Sequence, residues 1–179
     1  MPFELQPHLR GPTLSLRPLL PEDQEPLWAA SADPLIWSLH PDKSRAERAG
    51  FDKFFAGSLA SQGALIVSAN DSGAVIGSSR YYDWTPASRE VAIGYTFLTR
   101  QYWGGSANRE MKQLMIDHAL GWADTVWFHV AASNLRSRRA MEKLGARLSH
   151  MGQRPLNDQP IDYVYYCIDR QNWKAFAAR

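Results

Sequence analysis

Apolar and polar residues alternate from Thr13 to Leu19, with Leu14 and Leu16 set against Ser15 and Arg17, which predicts a strand. Pro21-Glu22-Asp23 then opens a helix running to Ser31, with proline and acids in its first turn, and Asp33-Pro34 breaks it. A second helix is expected from Ser44 to Leu59. Ser44 would cap it with Glu47 three residues on, and Phe51, Phe54, Phe55 and Leu59 would form its apolar face. From Ala64 the period shortens to that of strands: Ala64 to Ala69, a turn at Asn70 to Gly73, Ala74 to Tyr82, and Glu90 to Leu98. Helical spacing returns between Ser106 and Trp122, where Met111, Leu114, Met115, His118 and Ala119 share a face. Thr125 to Ala131 is a strand, and Asn134 to Leu144 is a helix stopped by Gly145. Arg147 to Gln153 and Ile161 to Ile168 close the chain as strands, with Pro155 to Pro160 between them. Three hairpin-linked strands followed by strand, helix and strand predict an α/β (α+β) domain with a mixed sheet, and exclude a purely doubly wound one.

Composition narrows the class. The 179 residues suit a single domain over 1–179, with residues 1–12 as a loose lead-in. Hydrophobic content of 45% and charged content of 21% are those of an ordinary soluble domain. A net charge of +2 argues against a dedicated nucleic-acid binder, so no direct nucleic-acid binding is expected. The single cysteine, Cys167, permits no intrachain disulfide; it lies in an apolar strand-like run and reads as a buried, inert thiol. No apolar run resembles a signal peptide or a membrane span, so the expected location is cytoplasmic, with no membrane partner.

Candidate chemistry concentrates in Arg100 to Met115, RQYWGGSANREMKQLM. Small residues at a strand-to-helix turn expose backbone N–H groups, and the new helix presents its positive dipole end, so the stretch suits a phosphate or diphosphate. A tight turn relieved by Gly104 and Gly105 is the plainer reading of the glycines alone.

Two stretches carry a resemblance. EVAIGYTFLTRQYWGGSANRE is similar to the acetyl-CoA loop of the GNAT superfamily of N-acetyltransferases, with Gln101, Gly104 and Ser106 at its motif positions. VAASNLRSRRAMEKLGA is similar to that family's second signature, at Asn134, Ser137, Glu142, Lys143 and Gly145. The match resembles most the branch that includes ribosomal-protein N-terminal acetyltransferases. It implies a GNAT-like, mostly antiparallel sheet of six to seven strands flanked by about four helices, acetyl-CoA as co-substrate, and no metal. It also implies an amine acceptor, a peptide N-terminus or a small molecule, acetylated directly in a ternary complex. Relatives are often dimers, which raises a homodimer as one assembly.

The resemblance places the cofactor against Phe97, Leu98, Thr99, Gln101, Trp103, Gly104, Gly105, Ser106, Ala107, Asn108, Asn134 and Ser137. Phe97 to Thr99 would bind its arm through their backbone, as an added strand. Asn134 is also a good helix cap, and Ser137, on the inward face of its helix, is a candidate proton donor to the leaving sulfur. Arg136, Arg139 and Lys143 read as a solvated face or as contacts to the cofactor's phosphates. Glu110 and His118 read as structural. His129, beside the cofactor slot, is either a base or a buried, hydrogen-bonded histidine.

Many relatives carry glutamate where this chain has Ala92. Glu90, on the same strand face about 7 Å away, is the alternative base, acting through a water. If little base is needed, an α-amine, with pKa near 8, suits better than lysine near 10.4. Acceptor candidates are Trp37, Tyr81 and Tyr82, with His40 and Trp84 nearby. A non-catalytic acyl-CoA-binding regulatory module is the rival function, and Ala92 permits it.

Overall fold

The structure is a computed structural model that describes residues 3–156 and 158–177. The first two residues of the expected lead-in, and position 157 in the expected closing turn, lie outside the described residues. Eight strands form one sheet: β1 (Leu9–Arg10), β2 (Leu14–Pro18), β3 (Ala64–Ala69), β4 (Val75–Thr85), β5 (Glu90–Leu98), β6 (Thr125–Ala131), β7 (Arg147–Leu156) and β8 (Gln159–Asp169). Six helices accompany them: α1 (Gln24–Ser31), α2 (Pro34–Trp37), α3 (Arg48–Ala60), α4 (Ala107–Leu120), α5 (Leu135–Lys143) and α6 (Arg170–Ala177). The spatial order is β1-β2-β3-β4-β5-β6-β8-β7, and every neighbouring pair is antiparallel except β5 with β6.

Strand alternation divides the apolar residues between two cores. On one face Leu65, Val67, Val91, Ile93, Val126, Phe128, Val164 and Tyr166 meet Met111, Met115, Ile116 and Ala119 of α4, Met141 of α5 and Trp173 of α6. On the other face Ala64, Ile66 and Phe97 meet Leu27 of α1, Ile36 and Trp37 of α2, and Phe51, Phe54 and Phe55 of α3. That second core stops at β5. Beyond it, on the same face of β6 and β8, Trp127, His129, Tyr163, Tyr165 and Cys167 are only half-buried, so the thiol is less enclosed than its apolar run predicts.

The sheet has more strands than the expected six to seven. The extra one is β1, in the expected lead-in, where Leu9 and Arg10 pair with Leu16 and Ser15. The closing strands are also longer than expected: β7 and β8 pair all the way to Leu156 and Gln159, with Pro155 opposite Pro160 at the exposed edge. The expected helix from Ser44 is divided. Lys43–Ala46 forms a 3-10 turn capped by Asp42, whose carboxylate accepts from the Ser44 N–H at 3.2 Å. The chain then extends at Glu47 before α3 begins, so Ser44 caps nothing. Gly50 explains the close packing there, since a Cβ at that position would collide with the Ser44 carbonyl.

Candidate active site

The functional geometry starts from a sheet that opens. β5 and β6 pair only at Glu90–Thr125, Val91–Val126 and Ala92–Trp127. Past Ala92 the two strands diverge and leave a wedge. A bulge bends β5 at this point: Ser78 faces Phe97 and Arg80 faces Gly94, so β5 carries one extra residue, and Tyr95 adopts φ of 52°. An aromatic residue rarely takes that conformation, and here it turns the ring outward, 42% exposed. A second irregularity between Tyr82 and Thr85 places Asp83 at φ of 52°.

The glycine stretch caps the mouth of the wedge. A 3-10 turn at Arg100–Tyr102 leads through Trp103 and Gly104, at φ of 73°, into α4. Arg100 donates to Asp33 and so ties the loop to the start of α2. The Trp103 indole N–H donates to the Leu98 carbonyl at 2.9 Å. Ser106 precedes α4 without capping it, and a Cβ at Gly104 or Gly105 would meet open space. The first helical N–H groups therefore face a region with room for an anion. Thr99 Oγ1 is buried at the end of β5 with no hydrogen-bond partner in the structure. An uncapped helix start, open glycines, an unpartnered hydroxyl and a half-open strand edge together fit acetyl-CoA, its diphosphate at the loop and its arm along β5.

Glu110 takes no part in this surface. Its carboxylate accepts from the Thr13 and Leu14 N–H groups at 2.8 and 3.1 Å and from the Thr13 hydroxyl at 2.5 Å, joining α4 to β2. His118 lies 2.8 Å from the Glu4 carbonyl and stacks on Phe3, as a structural histidine.

The second signature comes to the same place. Asn134 is buried and caps α5, its Oδ1 accepting the Ser137 N–H at 3.2 Å. Ser137 is half-buried in the first turn. Arg136 is not solvated. Its guanidinium lies 4.1 Å from the centre of the Trp103 ring and donates to the Ile36 carbonyl at 2.7 Å, fastening α5 to the loop and to α2.

On the face away from α4, a cavity of about 250 Å³ lies at the apex of the wedge, lined by Asp83, Glu90, Ala92, Trp127, His129 and Tyr165 among others. The Ser88 hydroxyl donates to Glu90 at 3.1 Å. His129 Nδ1 is 2.6 Å from Arg154 and 3.0 Å from the Tyr82 hydroxyl. A guanidinium can only donate, so Nδ1 is the acceptor and the proton sits on Nε2. Burial, with Arg154 beside it, pulls the imidazole down to a pKa of about 4. His129 is thus neutral at working pH, with its basic nitrogen already engaged. Burial pushes the Tyr82 phenol well above its ordinary range, which keeps it protonated.

Two acceptor candidates are displaced. Tyr81 is buried in the α4-side core and donates to the Met115 carbonyl at 2.7 Å, because adjacent strand residues point to opposite faces. Trp37 is also enclosed, donating to the Ser31 carbonyl at 2.9 Å and packing 5.2 Å from Phe97. Tyr82 alone of the three reaches the cavity side. Sequence reasoning missed Lys112. It is fully buried, 2.6 Å from Thr96 Oγ1 and 3.3 Å from Ser79 Oγ, and burial draws its pKa down to about 7. The signal was its place on the α4 stripe, one turn before Met115 and Ile116. Arg45 and Arg80, both largely buried, were missed as well.

Comparison with known proteins agrees with this geometry. A family model described as an acetyltransferase (GNAT) domain matches residues 13–147. Among solved structures, a GCN5-related N-acetyltransferase from Brucella melitensis superposes with a TM-score of 0.87 at 20% identity, over 99% of this chain and 85% of that one. An acetyltransferase of the GNAT family from Bacillus anthracis gives 0.73 at 15% identity, over 92% and 99%. RimJ from Mycobacterium smegmatis, solved with CoA-disulfide, gives 0.73 at 16% identity, over 97% and 93%. No curated protein sequence matches significantly. No described helix is long and apolar enough to cross a membrane. With the family model covering both signatures and the wedge between them, the chain belongs to the GNAT family of N-acetyltransferases, whose acetyl donor is acetyl-CoA.

Proposed function

We propose that this domain, acting in the cytoplasm, transfers acetyl from acetyl-CoA directly to a primary amine, a peptide N-terminus or a small molecule, with both substrates bound at once. One observation carries the reading: β5 and β6 pair only as far as Ala92–Trp127, the Glu90–His129 cavity lies at that point, and the uncapped loop follows the far end of β5, which leaves separate approaches for donor and acceptor. When bound, acetyl-CoA supplies an activated acetyl thioester. The N–H groups of Gly104 to Ala107 hold the diphosphate, with Gln101 and Asn108 flanking the loop. Backbone groups of Phe97, Leu98 and Thr99 hold the arm, and an N–H on the free edge of β5 polarises the carbonyl oxygen.

Glu90 takes the proton of the incoming ammonium through a water, leaving the nitrogen lone pair free. Ser137 Oγ hydrogen-bonds to the sulfur as the C–S bond breaks, and the proton that the attacking nitrogen sheds leaves with the thiolate, so the products are the amide and the free CoA thiol. His129, neutral and already accepting at Nδ1, orients Tyr82 and Arg154 and does not serve as the base. With Ala92 in place of a direct carboxylate, deprotonation of the incoming ammonium falls to Glu90 and its water.

Thiol release from acetyl-CoA, measured across peptides, polyamines and small amines, tests the reading. Amine-dependent release is the expected outcome. Saturable acetyl-CoA binding with no release for any acceptor would instead identify a regulatory module.

A further inference from the structure

Carboxylates answer two of the arginines around the wedge. Asp83 meets Arg154 at 3.2 Å, and Asp42 meets Arg45 at 3.2 Å. Arg80 is different. It is 8% exposed, donates to the Ser58 hydroxyl at 2.5 Å, and forms no ion pair among the described residues. Its Nε is buried with no hydrogen-bond partner in the structure. That N–H belongs to the edge of a guanidinium that grips a carboxylate with two parallel bonds. A buried cation left this way is costly, and such arrangements concentrate at binding sites.

The surroundings give the site a direction. The Arg80 guanidinium lies 3.9 Å from the centre of the Tyr95 ring, and that of Arg45 lies 5.9 Å from the same ring. Arg45 also sits 4.7 Å from the Phe54 ring. Burial lowers the pKa of both guanidiniums, and the charge of Arg45 lowers that of Arg80 further. Tyr95, turned outward by the bulge, packs 5.2 Å from Tyr82, whose hydroxyl reaches His129 in the apical cavity. Arg80 pairs across the sheet with Gly94, two strand residues beyond Ala92. Two residues of strand span about 7 Å.

We infer that the acceptor is a small amine carrying its own carboxylate, with the amine at the apex near Ala92 and the carboxylate held by Arg80 and Arg45 about 7 Å further along β5. The inference rests on the acetyltransferase reading and narrows it. An arginine only 8% exposed suits a small acceptor better than an extended peptide. The spacing selects amino acids whose two ends are separated by a short aliphatic spacer.

Glycine, β-alanine, 4-aminobutyrate and 6-aminohexanoate, each beside its carboxamide, form the test panel, with alanyl-aspartate and alanyl-alanine as peptide arms. The amines of the carboxamides are less basic than those of the acids, so deprotonation alone would favour the carboxamides. A kcat/KM ratio of at least tenfold for acid over amide, peaking at an intermediate spacer, is expected. In Arg80→Gln and Arg45→Gln that ratio falls toward one, chiefly through KM, while the charge-matched surface control Lys53→Gln keeps it. If Arg80→Gln fails to fold, Arg45→Gln and the wild-type panel still decide. A wild-type ratio near one, a ratio that survives Arg45→Gln, or a preference for alanyl-aspartate above every free amino acid overturns the assignment while leaving the acetyltransferase intact. Bound acetyl-CoA with no thiol release for any acceptor overturns both.

Discussion

The two mouths of the wedge are built from different materials. The proposed donor side is backbone: two glycines, an uncapped helix start and a strand edge, arranged by residues that follow one another in the chain. The proposed acceptor side is made of side chains from four separate elements: Arg45 before α3, Arg80 and Tyr82 on β4, Tyr95 on β5 and Arg154 on β7. Backbone recognition is generic and suits one invariant donor. Side-chain recognition is private and suits an acceptor particular to this protein.

The largest effect that can break the comparison is at Gly105. A Cβ there meets nothing within 4 Å, and its φ is not in the left-handed region, so Gly105→Val leaves the fold unstrained but fills the loop. We expect the Kd for acetyl-CoA, by calorimetry, to rise by about three orders of magnitude, on the order of 4 kcal/mol, with Tm unchanged. An unaltered Kd would move the diphosphate elsewhere.

Lys112 of α4 is buried against the sheet, bonded to Ser79 of β4 and Thr96 of β5. Its folded pKa of about 7 is below its ordinary value, so the unfolded chain binds the extra proton and stability rises as pH climbs from about 7 toward 10. Lys112→Met removes that burden. It should stabilise the protein by roughly 2 to 4 kcal/mol at pH 7, and by less than about 1 kcal/mol near pH 10. Thr96 and Ser79, already 2.7 Å apart, can satisfy each other. Chemical denaturation at the two pH values checks both the sign and the convergence.

A smaller change separates chemistry from binding. Glu90→Gln should lower kcat by about 10- to 100-fold with the Kd for acetyl-CoA unchanged. An equal loss in both would make Glu90 a structural residue. Smallest of all, Arg136→Ala removes the guanidinium from Trp103 and should weaken acetyl-CoA binding only a few-fold, on the order of 1 kcal/mol. A hundredfold loss would instead mean that Arg136 contacts the cofactor.

The same contrast explains what could be read from sequence. The loop from Leu98 to Asn108 was legible because small residues, a preceding strand and a following amphipathic helix are local features. The strand order around β5 and β6 followed from the hairpin and crossover pattern. The acceptor side was not legible, since no local pattern joins Arg45 to Arg80 or Tyr95 to Tyr163. Strand alternation separated Tyr81 from Tyr82, and bulges at Tyr95 and Asp83 shifted the faces that simple alternation assigns. Leu9–Arg10 became a strand only because β2 offered an edge. Ser44 had the spacing of a cap, but close packing of Gly50 on its carbonyl divided the helix.

Glu110 carries a wider consequence. An acid in the first turn of α4 could have folded back and quieted the helix start, but it clasps Thr13 and Leu14 instead. The start of α4 is thereby left without a side-chain cap, as the proposed diphosphate site requires. Acetyl-CoA would then act as a missing structural part as well as a reagent, and the loop would be most firmly ordered only when the enzyme is charged for turnover.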